Sequence, residues 1–175
     1  MQPRGDNLAR APQPERRRIR VRGLVQGVGF RPHVFRCAAR FGVTGFVGNG
    51  PEGVVIEAQG EAIDAFLAAL QEQAPPLARI DSLIQASLAL VDESSFAIAA
   101  TVAGAAAGAA IPADTALCDA CLAELFTPGD RRYLHPFIAC CDCGPRFTMT
   151  RRLPYDRDTT SMADFALCPT CEDEY

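Results

Sequence analysis

The chain has 175 residues, of which 17 are basic, 21 are acidic and 49% are hydrophobic. This composition excludes a wholly disordered protein, and the length suffices for one ordinary domain plus a small one. No apolar run approaches the roughly 20 residues that span a bilayer, and the N-terminus lacks a signal-peptide core, so we expect a cytoplasmic protein without membrane association.

Basic charge is concentrated at the N-terminus. Residues 1–22 contain seven arginines against Asp6 and Glu15, so the remaining residues have a net charge of −9 within a total of −4. A net-acidic body argues against a nucleic-acid-binding surface. We predict that residues 1–17 form a disordered basic tail.

Residues 18–100 show alternating strand and helix patterns. Ile19 and Val21 alternate with arginines, which predicts a half-buried strand. The later segments, in chain order, are a helix over 30–41, strands over 43–47 and 54–58, a helix over 63–70, and strand segments over 80–90 and 95–100. The order β-α-β-β-α-β predicts an α+β, ferredoxin-like fold.

This order has a geometric consequence for two loops. A strand–helix–strand crossover makes the first and second strands parallel, so their C-terminal ends lie at the same edge of the sheet. We therefore expect the segment 23–31 and the segment 48–50 to be neighbours at that edge, where functional loops are often found.

The first of these loops is rich in glycine. Gly27 and Gly29 precede Arg31, and Pro32 opens the helix. Glycines let backbone amides converge on one point, and both the helix N-terminus and a guanidinium favour phosphoryl oxygens. The pattern predicts a phosphate cradle, although on spacing alone a tight turn with a surface arginine is an equal alternative.

The segment Val25–Pro32, with Asn49 eighteen positions after Arg31, closely resembles the acylphosphatase signature. The resemblance covers residues 18–100 and implies two catalytic residues: Arg31 holds the phosphate and Asn49 orients the attacking water. It implies that the phosphate-binding residues are Gln26, Gly27, Val28, Gly29, Phe30 and Arg31. An acyl phosphate has a good leaving group, so this chemistry requires no nucleophilic side chain. We expect His33 to be an exposed bystander and Cys37 to be a core residue.

Seven of the eight cysteines lie beyond residue 117. Cys118 and Cys121 form one C-x2-C pair, and Cys140 and Cys143 form another after eighteen intervening residues. Two such pairs supply four thiolates and predict a structural zinc site with no open position. Disulfides and a redox C-x2-C are the alternatives.

The cysteine region contains an internal repeat. The pattern of residues 114–124 recurs fifty residues later at 164–174, where Cys168 and Cys171 form a third C-x2-C pair. We expect this pair to be half of a second metal site whose other ligands come from another chain or from a C-terminal continuation; the alternative is that the pair is unused. We predict an Ala/Gly linker over 101–110 and a zinc-finger domain over 111–175, with one complete finger and a second that is truncated.

The two units together resemble the N-terminal part of HypF, the carbamoyltransferase family of nickel–iron hydrogenase maturation. The resemblance rests on the acylphosphatase-like loop followed by the segments 111–121, 131–136 and 140–147. It implies that carbamoyl phosphate is the substrate and that a HypE-like maturation protein is the partner of the full-length enzyme. HypF proteins continue into nucleotide-binding domains, so we expect this chain to be a fragment of the family's enzyme.

Three functions are consistent with the sequence. The leading hypothesis is that the chain binds and hydrolyses carbamoyl phosphate as the first step of carbamoyl transfer. The alternatives are a stand-alone acylphosphatase of broad specificity and a non-catalytic, zinc-stabilised interaction module.

Overall fold

The computed structural model describes residues 13–50, 53–99, 114–140, 142–144, 147–152 and 156–170. Two predicted features fall largely beyond these ranges. The linker predicted over 101–110 and the first twelve residues of the predicted tail lie outside the described residues.

The first unit is a five-stranded sheet with two helices. Its elements are β1 (Glu15–Leu24), α1 (Phe30–Phe41), β2 (Thr44–Gly50), β3 (Gly53–Gly60), α2 (Ile63–Glu72), β4 (Arg79–Leu88) and β5 (Phe96–Ile98). The strands lie in the order β4-β1-β3-β2-β5. The predicted ferredoxin-like fold is confirmed, and β5 adds a short edge strand parallel to β2.

Strand β1 begins earlier than the sequence indicated. Residues 15–17 were expected in the tail, but they pair with β3 from Glu15 opposite Gly60. The arginines at this end have acidic partners on neighbouring elements: Arg16 lies 2.7 Å from Glu57 of β3. Consecutive arginines can lie in a β-strand here because acidic side chains of neighbouring elements pair with them.

The strand directions bring the two predicted loops to one edge. β3 lies between β1 and β2 and is antiparallel to both, so β1 and β2 run in the same direction. Both strands therefore end at the same edge of the sheet, as the crossover rule predicted.

The core lies between the sheet and the two helices. Its fully buried residues include Ile19 and Ile56 from the strands, and Val34 and Phe66 from the helices. Cys37 is buried, as predicted. His33 was expected to be exposed, but it is 93% buried because it lies four residues before Cys37 on the same helix face, with its Nε2 atom 3.7 Å from the sulfur.

The second unit, the finger region, has little regular structure. It contains α3 (Asp119–Phe126) and two 3₁₀ turns, Phe147–Met149 and Arg157–Thr159, which are joined by one bridge between Thr150 and Thr160. Two cysteines and Ile138 form its small core. No helix within the described ranges is both long enough and apolar enough to cross a bilayer.

Candidate active site and metal centre

The glycine-rich loop connects β1 to α1. Gly27 and Gly29 have φ angles of 67° and 72°, a left-handed conformation that side chains with a Cβ rarely adopt. Gly29 is the N-cap of α1, and its carbonyl accepts the first helical hydrogen bond from the His33 amide at 3.1 Å. The amides of the first helical turn have no partner within the helix, so the loop presents an electropositive helix end.

The apolar residues of the loop anchor it. Val25, Val28 and Phe30 are each at least 99% buried and belong to the main core. They alternate with Gln26 and the glycines. The backbone at the glycines is therefore held in place by packing on either side, which favours a preformed anion site.

Gln26 connects the loop to the neighbouring hairpin. It is 96% buried, and its Nε2 atom donates hydrogen bonds to the carbonyl of Gly53 at 2.9 Å and more weakly to that of Gly50 at 3.4 Å. These carbonyls flank the β2–β3 turn that follows Asn49. Gln26 was predicted to be a phosphate-binding residue, and this stays a prediction for its backbone amide, since its side chain contacts the hairpin.

Asn49 lies near the end of β2 and is 97% buried. It pairs with Val54 of β3, which in turn pairs with Val21 of β1, three residues before β1 ends. Asn49 is two residues from Val47, so both side chains are on the same face of the sheet, where Val47 contributes to the core. Asn49 therefore lies on the helix-covered face, near the edge where the glycine-rich loop begins.

Arg31 is the second residue of α1 and reaches the finger region. Its side chain is 12% exposed, and its Nη1 atom lies 3.4 Å from Oδ2 of Asp156. Sequence reasoning missed Asp156. The spacing of Asp156 and Thr159 is a helix-capping signal, but no local pattern relates Asp156 to an arginine 125 positions earlier.

A cavity of about 570 Å³ lies between the loop and the finger region. Gly27, Gly29 and Arg31 form part of its wall, and Asn49 does not. The finger region adds basic and apolar residues to the wall, among them Arg131, Arg132, His135, Arg157, Phe137 and Phe165. The wall is therefore cationic on both sides, which favours an anionic ligand.

Packing is the role that fits the buried imidazole of His33 and the buried thiol of Cys37 on α1. Burial lowers the pKa of His33, and Arg36 lowers it further, so the imidazole is neutral at pH 7. Burial also raises the pKa of the Cys37 thiol. Neither group supplies a charge or a thiolate for chemistry at the loop.

The four cysteines of the two C-x2-C pairs converge. All four sulfur atoms lie within 4.8 Å of one another. The sulfur of Cys118 lies 3.6 Å from that of Cys140, and the sulfur of Cys121 lies 3.8 Å from that of Cys143. These separations fit the edges of a tetrahedron with metal–sulfur bonds of about 2.3 Å, so the donor set fits a small divalent metal ion.

The surroundings of the sulfurs also fit a metal centre. The amide of Asp142 donates to the Cys140 sulfur at 3.3 Å, and the amide of Cys140 lies 3.5 Å from the Cys143 sulfur. Such amide donors stabilise thiolates. Burial raises the pKa of Cys121 and Cys140, so a bound cation is what would favour their charged form.

The structure describes only one cysteine of the predicted second metal site. Cys168 is exposed, and Nη1 of Arg131 lies 3.8 Å from its sulfur. Cys171 lies outside the described residues. A metal role for this pair stays a prediction.

Comparison with known proteins identifies both units. The acylphosphatase family model matches residues 17–98, and the HypF finger model matches residues 117–150. The acylphosphatase of Methylococcus capsulatus is 39% identical over 84 residues, which cover 46% of this chain and 90% of that protein. The chain belongs to the acylphosphatase family.

Longer relatives match both units together. Carbamoyltransferase HypF2 of Cupriavidus necator is 54% identical over 165 residues, which cover 91% of this chain and 20% of that protein. The crystal structure of a full-length HypF in its phosphate- and nucleotide-bound form has a TM-score of 0.85 at 40% identity and covers 95% of this chain and 22% of that one. The predicted resemblance to the N-terminal part of HypF is confirmed, and the chain spans about a fifth of the length of these relatives. The match to the acylphosphatase family indicates an enzyme of the hydrolase type.

Proposed function

We propose that the chain binds carbamoyl phosphate at the glycine-rich loop and hydrolyses it to carbamate and phosphate. The observation that carries this proposal is the placement of Arg31 in the first turn of α1, two residues after left-handed Gly29, in a unit of the acylphosphatase family. Loop amides, a helix N-terminus and a guanidinium together favour a phosphoryl dianion.

In the proposed reaction, the loop amides and Arg31 bind the phosphoryl oxygens and stabilise the charge that develops there. Asn49 orients one water molecule. Because the cationic groups surround the phosphoryl group, we assign the attack to phosphorus. The water oxygen forms a bond to phosphorus, the bond between phosphorus and the acyl oxygen breaks, carbamate leaves with the electron pair, and the water proton passes to solvent.

No covalent intermediate is part of this mechanism. The thiol of α1, Cys37, is buried in the core with a raised pKa, and His33 beside it is buried with a lowered pKa. The rate enhancement then comes from positioning and from charge neutralisation, which suffice for a reactive mixed anhydride.

The metal of the finger region is proposed to be zinc. Four thiolate ligands at tetrahedral separations are typical of structural zinc, and they fill every coordination position. Cys118, Cys121, Cys140 and Cys143 would hold the ion, which would stabilise the fold around α3 and have no role in hydrolysis. A reducing cytoplasm, as expected from the sequence, would keep these thiols available.

The role in carbamoyl transfer is also a proposal. The relatives that match both units are carbamoyltransferases, and hydrolysis of carbamoyl phosphate would be the first step of such a transfer. Delivery of the carbamoyl group to a HypE-like maturation protein for nickel–iron hydrogenase would then belong to the longer enzyme.

The direct test is to measure phosphate release by the 175-residue chain from carbamoyl phosphate and from acetyl phosphate. We expect release from both, with a higher kcat/KM for carbamoyl phosphate. Equal values of kcat/KM would favour an acylphosphatase of broad specificity. Release from neither substrate would contradict the proposal and leave the interaction module as the remaining function.

A further inference from the structure

Asp156 belongs to the finger region but contacts the proposed phosphate-binding arginine. Its Oδ2 atom lies 3.4 Å from Nη1 of Arg31. The acylphosphatase match ends at residue 98, so this carboxylate is supplied from outside the acylphosphatase unit. The acylphosphatase of Methylococcus capsulatus is matched over 90% of its length by only 46% of this chain.

The carboxylate is held in place by its own turn. Oδ1 of Asp156 accepts a hydrogen bond from the Arg157 amide at 2.9 Å, and the Asp156 amide donates to Oγ1 of Thr159 at 2.9 Å. The bond to Thr159 is one half of a capping box on the 3₁₀ turn Arg157–Thr159, and in the other half the Asp156 side chain accepts from the Thr159 backbone. One carboxylate oxygen therefore fixes the turn, and the other faces the guanidinium.

The exposure of the Arg31–Asp156 pair and its place beside the cavity indicate the function of this contact. The Arg31 side chain is 12% exposed and the Asp156 side chain is 31% exposed, so the pair is partly shielded from solvent. Arg31 forms part of the cavity wall, whereas Asp156 does not. The carboxylate thus contacts the guanidinium from outside the cavity into which the glycine-rich loop opens.

We propose that Asp156 is a positioning residue that orients the Arg31 guanidinium for the phosphoryl group, so that the finger region contributes to binding of the acyl phosphate. This inference rests on the proposed function. A guanidinium has five N–H donors in a rigid fork, so it can pair with a carboxylate and bind phosphoryl oxygens at the same time. Without the carboxylate, the arginine would lose conformational order that binding must then restore.

The test compares Asp156→Asn with Asp158→Asn in the 175-residue chain. Asparagine at 156 keeps the size and capping ability of the side chain and removes its charge. Asp158 is exposed on the same turn, so its variant removes the same charge without touching Arg31. The measurements are the Kd for inorganic phosphate by titration calorimetry, and KM and kcat for carbamoyl phosphate.

We expect Asp156→Asn to raise both the Kd for phosphate and KM about threefold, with a much smaller change in kcat. Asp158→Asn should match wild type, and Asp156→Glu, which keeps the charge, should bind phosphate more tightly than Asp156→Asn. Equal Kd values in Asp156→Asn and wild type would overturn the inference. Tighter binding in Asp156→Asn would also overturn it, because the carboxylate would then compete with phosphate.

A different experimental result would contradict the proposed function itself. If wild type neither binds phosphate nor releases it from carbamoyl phosphate, the loop is not an acyl phosphate site. If wild type does both and the Asp156 variants do not differ from it, only the positioning role is wrong.

Discussion

The side chain of Gln26 donates a hydrogen bond to the carbonyl of Gly53 at 2.9 Å, which joins the glycine-rich loop to the turn after Asn49. The two parts of the proposed site are the glycine-rich loop and Asn49 of β2, which are separated in the chain by α1. A buried hydrogen bond between them fixes their relative position. Gln26 thereby contributes to the geometry of the site without carrying a charge.

The Gln26→Ala variant tests this connection. It leaves the buried Gly53 carbonyl without this donor, and we expect the free energy of unfolding to fall by about 1–3 kcal/mol. We also expect kcat for carbamoyl phosphate to fall, because the hairpin that carries Asn49 loses its hydrogen bond to the glycine-rich loop. Urea unfolding and phosphate-release kinetics measure the two effects.

Gln59→Ala is the matched control for Gln26→Ala. Gln59 on β3 also donates a side-chain hydrogen bond to a backbone carbonyl, that of Val91 at 2.9 Å, but this bond is exposed to solvent. Its kcat should equal that of wild type. If both variants have wild-type kcat, the Gln26 bond stabilises the fold alone.

Asn49 provides a second prediction. In the proposed mechanism its amide orients the attacking water, so Asn49→Ala should lower kcat by about 10²-fold. The Kd for inorganic phosphate, which depends on the loop and Arg31, should change little. A variant that loses phosphate binding and keeps kcat for carbamoyl phosphate would assign Asn49 to binding instead.

Two left-handed glycines at opposite ends of α1 give a third prediction. Gly29 and Gly42 have φ angles of 72° and 62°. Alanine at either position costs about 1–2 kcal/mol of stability from backbone strain. Only Gly29→Ala should also weaken phosphate binding, because Gly29 belongs to the loop and Gly42 caps the far end of the helix. Equal phosphate Kd values in the two variants would show that the Gly29 conformation is not needed for binding.

The metal site gives a fourth prediction. Cys121→Ser should lower the zinc content of the purified chain by one ion relative to wild type and destabilise the finger region, because zinc binding contributes directly to folding. Cys37→Ala, which replaces a buried cysteine of α1, should keep the wild-type zinc content. Elemental analysis by mass spectrometry measures both. An unchanged zinc content in Cys121→Ser would contradict the assignment of the four-cysteine centre.

Much of the site was predictable from local sequence. The glycines, Pro32 and the helical spacing of α1 place the loop and Arg31, because turn and capping preferences act within a few residues. The paired C-x2-C motifs likewise predict a metal site with four cysteine ligands. The order of strands and helices sets the parallel direction of β1 and β2. Asn49 therefore lies near the edge of the sheet where the glycine-rich loop begins.

Contacts between distant residues were not predictable in this way. The bond from Gln26 to Gly53 and the contact of Arg31 with Asp156 join residues that are 27 and 125 positions apart, and no periodic pattern relates them. Arg16 at the start of β1 was assigned to a tail because its partner, Glu57, lies on another strand. The burial of His33 had a local signal, its four-residue spacing from Cys37, which the interpretation of His33 as an exposed bystander overlooked.

The most direct test of the account is the rate of phosphate release from carbamoyl phosphate by Arg31→Ala, with Arg36→Ala as the control. Arg36 is an exposed arginine on the same helix. We predict that Arg31→Ala loses at least about 10²-fold in kcat/KM while its circular dichroism spectrum matches that of wild type, and that Arg36→Ala retains wild-type kinetics. Wild-type turnover in Arg31→Ala would contradict the central claim that this guanidinium binds the phosphoryl group.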